Sequence, residues 1–182
     1  MNPVPHERVT TSERNVRICA DLLDCGGADI MNLHAWPTRD LPALAAVAHQ
    51  AEGWLEARAS IEYGLSKADV LIAGWGVGRF SRDARSHLEN QLRWLATAAE
   101  VAGHDSAYQV GDPPRHPSRW RQFTSPVHER FDGATFEERL RNSLQVRALA
   151  RFQDESGPSA TTTTATGRCS GPNPSRMATG SS

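Results

Sequence analysis

The first third of the chain combines an amphipathic helical pattern with a short apolar run. Thr10 and Glu13 have the spacing of a capping box, and apolar residues then recur at helical intervals as far as residues 26–27, which are both glycine. This pattern predicts a helix. Residues 28–33 are short and mostly apolar, which is typical of a buried strand.

The middle of the chain predicts two more helices and a strand. A helix is expected to begin near Pro42, because proline is tolerated in the first turn, and to continue to residues 54–55. Residues 69–76 are β-branched and aliphatic and then reach glycines, as in a central parallel strand that enters a loop. Ser81 is placed to cap the next helix, which is expected to end near Gly103.

The last part of the chain predicts a strand, a helix and a tail. Residues 107–110 have a weak strand pattern, and Thr135 with Glu138 forms a second capping box before a helical stripe that reaches Phe152. Residues 155–182 consist mainly of Ser, Thr, Gly and Pro, which predicts a disordered tail.

The alternation of helices and strands predicts an α/β fold, a three-layer αβα arrangement with a short, mostly parallel sheet. No strand pattern precedes the first helix, so the first strand of the sheet is expected to be missing. Either the sheet starts late, or Met1 is internal to a longer protein.

Composition and charge narrow the class of protein. The chain has 182 residues and a net charge of −1, so no whole-chain electrostatic attraction favours nucleic acid or an anionic membrane. No apolar run reaches the roughly 20 residues of a membrane helix. Any polyanionic partner must therefore be recognised by a local patch, and a membrane partner is not expected.

The cysteines and histidines indicate neither a disulfide framework nor a metal site. Cys19, Cys25 and Cys169 are odd in number and form no C-x-x-C pair, which favours a reducing cytoplasm. The seven histidines are scattered without metal-ligand spacing. We expect no metal and no cofactor.

Several short motifs occur in a characteristic order. They are Asn2-Pro3, the stretch from Cys19 to Gly27, Met31-Asn32-Leu33-His34-Ala35-Trp36, Ala73-Gly74-Trp75-Gly76 and Pro114-Arg115-His116-Pro117. This order resembles the bacterial domain-of-unknown-function 1643 family over about residues 1–120. The departures are Val4-Pro5 in place of Ser-Thr, Ser118 in place of Leu and one extra residue in the loop from Gly111 to Arg115. Family membership implies no activity.

The resemblance suggests a division of the chain. Residues 1–124 are expected to form the family-like αβα domain, and residues 125–154 a C-terminal helical extension. The family's upstream strand has no counterpart in this sequence, and that absence together with the tail leaves open a truncated, inactive remnant.

The same motif order is more distantly similar to the uracil-DNA glycosylase superfamily. That similarity implies that Asn2 positions the hydrolytic water, that Asn32 reads the edge of a base, and that His116 and Ser118 lie in a loop that contacts DNA. His116 would also stabilise the leaving base. It is a likeness at the level of fold and motif order.

The chemistry of these side chains fits the implied roles. Cleavage of an N-glycosidic bond leaves negative charge on the base, so an imidazole donor at His116 would stabilise the transition state. The carboxamide of Asn32 matches the adjacent donor and acceptor of a uracil-type edge. Asn2 is not basic and could only orient water. The alternatives are that Asn32 caps a turn and that His116 is solvated in a loop.

Residues 115–123 interleave three arginines with two aromatic side chains. Arg115 and Arg119 could pair with phosphates and Trp120 could stack on a base, so the segment is a candidate contact for a nucleotide or a nucleic acid. A non-catalytic binding module that uses Arg115, Arg119 and Arg121 is therefore the alternative to an N-glycosidic bond hydrolase. In another interpretation Trp120 packs on the core while the arginines face water.

Overall fold

The computed structural model describes residues 9–38, 40–76 and 80–154. Asn2 and the predicted tail at residues 155–182 lie outside these residues, as does any strand before the first helix.

Within the described ranges, helices and three strands alternate. The helices are α1 (Thr11–Leu22), α2 (Leu41–Val47), α3 (Glu52–Leu65), α4 (Arg82–Val101), α5 (Trp120–Phe123), α6 (Phe136–Ser143) and α7 (Arg151–Asp154). The strands are β1 (Ile72–Ala73), β2 (Ser106–Val110) and β3 (Leu144–Ala148). Two 3₁₀ turns, Pro117–Arg119 and Pro126–His128, connect β2 to α6 together with α5. In the part of the chain that is described, no helix is both long and apolar enough to cross a membrane.

The three strands form one sheet in the order β1-β2-β3. β1 is parallel to β2, with Ile72 opposite Tyr108, and β2 is antiparallel to β3, with Tyr108 opposite Val146. The fold is α/β as expected. The sheet is mixed rather than mostly parallel, because its third strand comes from a segment that was expected to be helical.

Helices cover both faces of this sheet. Successive residues of a strand point to opposite faces, and the core follows this alternation. Ala73 and Ala107 pack in one cluster with residues of α3, α4 and α7. Val110 packs on the other face with Trp120 and residues of α1 and α6, and Ile72 lies against that cluster. The αβα layering follows from these two clusters.

The predicted helix caps are confirmed. The hydroxyl of Thr10 accepts from the backbone N–H of Glu13 at 3.2 Å, and the Glu13 carboxylate accepts from the N–H of Thr10 at 2.6 Å. Thr135 and Glu138 form the same reciprocal pair. The hydroxyl of Ser81 accepts from the N–H of Ala84 at the start of α4. Each cap depends on residues three positions apart, which is why the sequence reveals it.

The strand predicted at residues 28–33 is wrong. This segment has no regular structure, and Ile30 and Met31 are exposed at 44% and 38% of their surface. No backbone–backbone hydrogen bond joins it to another described segment. A strand requires a neighbour that satisfies its N–H and C=O groups, and an apolar run alone does not provide one.

The helix predicted from Pro42 to residues 54–55 is two helices. α2 ends at Val47, and α3 begins at Glu52 and continues to Leu65. The break is closed by the indole Nε1 of Trp54, which donates to the carbonyl of Ala48 at 2.9 Å. The predicted strand at 69–76 is regular only at Ile72–Ala73.

The long final helix is also wrong. α6 ends at Ser143, and Leu144–Ala148 is β3, which pairs with β2 along five residues. The helical spacing of apolar residues is real, but the unpaired edge of β2 offers a full ladder of backbone hydrogen bonds to these residues. Residues 125–154 thus provide α6, β3 and α7 to the same packed unit.

Candidate functional site

An open groove of about 1860 Å³ extends along β1 and past its carboxyl end to residues 74–76. Its walls are the irregular segment 28–36, residues 69–76 around β1 and the loop 115–119. In open α/β sheets, ligands bind beyond the carboxyl ends of the strands. The groove is therefore the candidate functional site of the described part of the chain.

The loop that carries His116 is held by hydrogen bonds from two buried side chains. The side-chain Nδ2 of Asn15, in α1, donates to the carbonyl of Pro117 at 2.8 Å. The indole Nε1 of Trp120 donates to the carbonyl of Arg115 at 2.7 Å. Asn15 and Trp120 are both fully buried. These bonds hold the loop in one position before any ligand arrives.

Two glycines after β1 let this loop approach the sheet. Gly76 has a φ of +78°, and a Cβ added to it would lie 3.0 Å from the Cβ of His116. Its N–H donates to the carbonyl of Pro114 at 3.0 Å. A Cβ added to Gly74 would lie 3.1 Å from the Cδ of Pro117. The Ala73-Gly74-Trp75-Gly76 motif is thus a docking surface for the His116 loop.

His116 is held in one neutral tautomer. The backbone N–H of Ser118 donates to the imidazole Nδ1 at 3.3 Å, and the Oγ of Ser118 lies 2.9 Å from the same atom. A backbone N–H can only donate, so Nδ1 is the unprotonated nitrogen and Nε2 carries the hydrogen. The residue is exposed, but burial of part of the ring lowers the pKa of His116, and the nearby Arg119 lowers it further. The groove therefore contains a neutral N–H donor.

Basic side chains are concentrated along one wall of the groove. Five of those that line it come from residues 115–130, namely Arg115, His116, Arg119, His128 and Arg130, and the other two are Lys67 and His34. The carboxylates that line the groove come from residues 24–69, namely Asp24, Asp29, Asp40 and Asp69. The groove is thus basic on the side of the His116 loop, which suits a ligand with an anionic group at that end.

Asn32 lies in the same groove as the His116 loop, but not at the end of a strand. It is exposed within the irregular segment. Five of the predicted site residues line this groove, namely Asn32, Arg115, His116, Ser118 and Arg119. Asn2, the predicted water-positioning residue, lies outside the described residues.

Trp120 and Arg121 do not line the groove. Trp120 is completely buried against the sheet, so it offers no face on which a base could stack. The guanidinium of Arg121 lies 4.0 Å from the ring centre of Phe136, on α6. The interpretation in which Trp120 packs on the core is correct, and Arg121 stacks on Phe136 outside the groove.

Asn15 and Arg130 are not predicted from the sequence. Asn15 interrupts the buried stripe of α1, and a polar residue in an apolar stripe is a usable signal for a buried hydrogen bond. Arg130 carries no local signal, because only the path of the chain after α5 brings it to the groove.

His34 also lines the groove, as a buried imidazole. It is 7% exposed and packs edge-on against Trp36 and Trp54. Burial lowers the pKa of His34.

The described residues contain no group of three or more His, Cys, Asp or Glu side chains that could hold a metal ion. Comparison of the chain with protein-family models, curated proteins and solved structures finds no match.

Proposed function

We propose that the groove binds a nucleotide or a nucleic acid. The observation that carries this proposal is that the basic side chains of residues 115–130 and the carboxamide of Asn32 line one groove. Guanidinium groups bind phosphate oxygens in a planar, two-point manner, and a carboxamide matches the hydrogen-bonding edge of a base. A ligand with phosphate at one end and a base at the other fits both features. The order of the sequence motifs further supports kinship with the domain-of-unknown-function 1643 family, which we include in the proposal.

The binding proposal is tested with a fluorescent oligothymidylate and a fluorescent nucleotide, by anisotropy over a series of salt concentrations. We expect the affinity to fall as salt rises, because each phosphate contact releases counterions. Arg119→Gln, which removes a cation of the groove, should weaken binding. Arg121→Gln is the matched control, since Arg121 lies outside the groove. The absence of binding, or an affinity that does not respond to salt or to Arg119→Gln, would contradict the proposal.

A second candidate function is hydrolysis of an N-glycosidic bond of a nucleobase. It is favoured by the tautomer of His116, because an imidazole with its hydrogen on Nε2 can donate a hydrogen bond to the oxygen of a departing base. A neutral donor is suited to an oxyanion that forms only in the transition state. Asn2 remains the proposed water-positioning residue, and a base within a duplex would have to be flipped out.

The hydrolysis candidate is tested with a uracil-containing oligonucleotide, by measuring base release through alkaline cleavage at the abasic site. His116→Ala should abolish release while the oligonucleotide still binds. Ser118→Ala should reduce release less, because the backbone N–H of Ser118 continues to hold the tautomer. Release at the same rate from His116→Ala, or no release by the unaltered protein, would leave binding alone as the function.

A further inference from the structure

We propose that Arg115 and Arg130, arranged on the ring of Phe123, form an anion subsite for the phosphate of the ligand. The inference rests on the proposed function for the identity of the rest of the ligand, but not for the anion itself. It assigns Arg130, which the sequence does not single out, to the binding surface.

The two guanidinium groups share one aromatic ring. The Cζ atom of Arg115 lies 4.3 Å from the ring centre of Phe123, and that of Arg130 lies 5.1 Å from the same centre. The two positive charges therefore cannot be farther apart than these two distances combined. Stacking fixes the planes of flexible side chains, so both groups are positioned before an anion binds.

Arg115 is further immobilised by its own backbone and surroundings. Its N–H donates to the carbonyl of Val110 at 2.9 Å, and its carbonyl accepts from Trp120. Its side chain crosses Gly111, where an added Cβ would lie 3.0 Å from the Nε atom. That Nε is buried and has no acceptor within the described residues. A buried N–H of a charged group without an acceptor costs free energy. An anion would bind to the other N–H donors of this guanidinium group.

No carboxylate of the described residues neutralises this pair. Within the described ranges, neither Arg115 nor Arg130 forms a salt bridge with Asp or Glu. Asp112, the carboxylate nearest to Arg115 in sequence, pairs instead with Arg147 at 2.9 Å. Two like charges near one ring repel each other, and a bound phosphate would remove that repulsion.

Arg121 supplies a matched control. It too stacks on an aromatic ring, that of Phe136, at 4.0 Å, and like Arg130 it is exposed. It differs in that it does not line the groove and that, among the described residues, no second arginine stacks on its ring. If anion binding depended only on stacking or on net charge, Arg121→Gln would weaken it as much as the groove variants do. If it depends on the subsite, Arg121→Gln should leave it unchanged.

The experiment measures binding of inorganic pyrophosphate to the full chain by isothermal titration calorimetry. We expect the unaltered protein to bind it, and Arg115→Gln and Arg130→Gln to weaken binding about tenfold or more. Arg130→Lys, which keeps the charge but loses the planar fork, should fall between. Arg121→Gln should bind as the unaltered protein does. Melting followed by circular dichroism checks each variant, and Arg130→Gln decides the matter if Arg115→Gln does not fold.

Two further ligands identify the source of the phosphate. They also distinguish a failure of the subsite from a failure of the proposed function. Deoxyuridine monophosphate tests a free nucleotide, and a short oligothymidylate tests the backbone of a nucleic acid; dependence of either on Arg130 supports the subsite. If pyrophosphate binds through these arginines but neither nucleotide nor oligonucleotide binds, the subsite stands and the proposed function fails. If the oligonucleotide binds equally well to Arg115→Gln and Arg130→Gln, the function stands and the subsite is refuted. Failure of the unaltered protein to bind pyrophosphate also refutes it.

Discussion

The Oγ of Ser118 lies 2.9 Å from the Nδ1 of His116, and the backbone N–H of Ser118 donates to that same atom. Two groups of one residue therefore converge on a single ring nitrogen. Donors aimed at Nδ1 stabilise the neutral imidazole, because the imidazolium has no lone pair to accept them. The relation between these residues decides which proton His116 can offer to a ligand.

Removal of the neighbouring cation should raise the pKa of His116. In the unaltered protein this pKa is lowered first by burial and then by Arg119. Arg119→Gln should therefore move it upward, but not fully to the ordinary value of about 6.5, since the burial remains. Titration of the imidazole by two-dimensional NMR measures the change. Arg121→Gln serves as the control, and a His116 pKa that is the same in Arg119→Gln as in the unaltered protein would contradict the assignment.

An alanine at Gly53 should destabilise the protein because of His34. A Cβ added to Gly53, in α3, would lie 2.3 Å from the Nε2 of His34, which is buried. We expect a loss of about 1–3 kcal/mol in the free energy of unfolding from this overpacking. Urea denaturation of Gly53→Ala measures it.

The same helix provides the control and the rescue. A Cβ at Gly64 would meet only the side chain of Met31 at 3.0 Å, and Met31 is partly exposed and flexible. Gly64→Ala should thus be near neutral or stabilising. In a His34→Ala background, Gly53→Ala should become stabilising, since alanine is favoured over glycine within a helix by about 1 kcal/mol. Equal losses in both backgrounds would show that the imidazole is not the cause.

Mild acid should destabilise the fold through His34. Its pKa is lowered in the folded protein by burial, while a hydrogen bond with the Trp36 backbone and the charge of Glu56 act in the opposite direction. The unfolded chain, with a pKa of about 6.5, therefore takes up the proton first. The stabilisation is complete above that pH and is lost as the pH falls through the folded value.

Urea denaturation between neutral and mildly acidic pH tests this dependence. His116, whose pKa is also lowered, contributes in the same direction. His34→Phe should flatten the profile more than His116→Gln, because His34 is the more buried residue. Profiles of equal slope in His34→Phe and in the unaltered protein would rule out His34 as the origin.

Gln91 should be essential for attaching the groove wall to the helices. Its Nε2 donates to the carbonyls of Leu33 and Trp54 at 3.2 and 2.9 Å, and its Oε1 accepts from Arg58 at 3.1 Å. Gln91→Met keeps the length of this buried side chain but leaves those partners unsatisfied. We expect a loss of about 1–3 kcal/mol in the free energy of unfolding.

The control for Gln91 is Gln122→Met. Gln122 is exposed, and no side-chain hydrogen bond of this residue is found within the described part of the chain. Thermal unfolding of both variants measures the difference. A Gln91→Met protein as stable as Gln122→Met would mean that the three bonds contribute no net stability.

The sequence by itself determined the features that depend on neighbours a few positions apart. The capping boxes at Thr10 and Thr135 and the cap at Ser81 are formed within one helical turn, so residue type and spacing are sufficient. The motif order predicts that Asn32 and the His116 loop share a site, and both line the groove.

Only the tertiary structure decided where distant segments pair. Residues 28–33 look like a strand and 144–148 like a helix, yet the first has no partner and the second completes the sheet on the edge of β2. Likewise, Arg130 joins Arg115 on Phe123, and Asn15 fixes Pro117, through contacts that no local pattern encodes. The reason is physical: backbone hydrogen bonds and buried polar groups are satisfied by whichever partner the folded chain brings near, and that choice overrides local propensity.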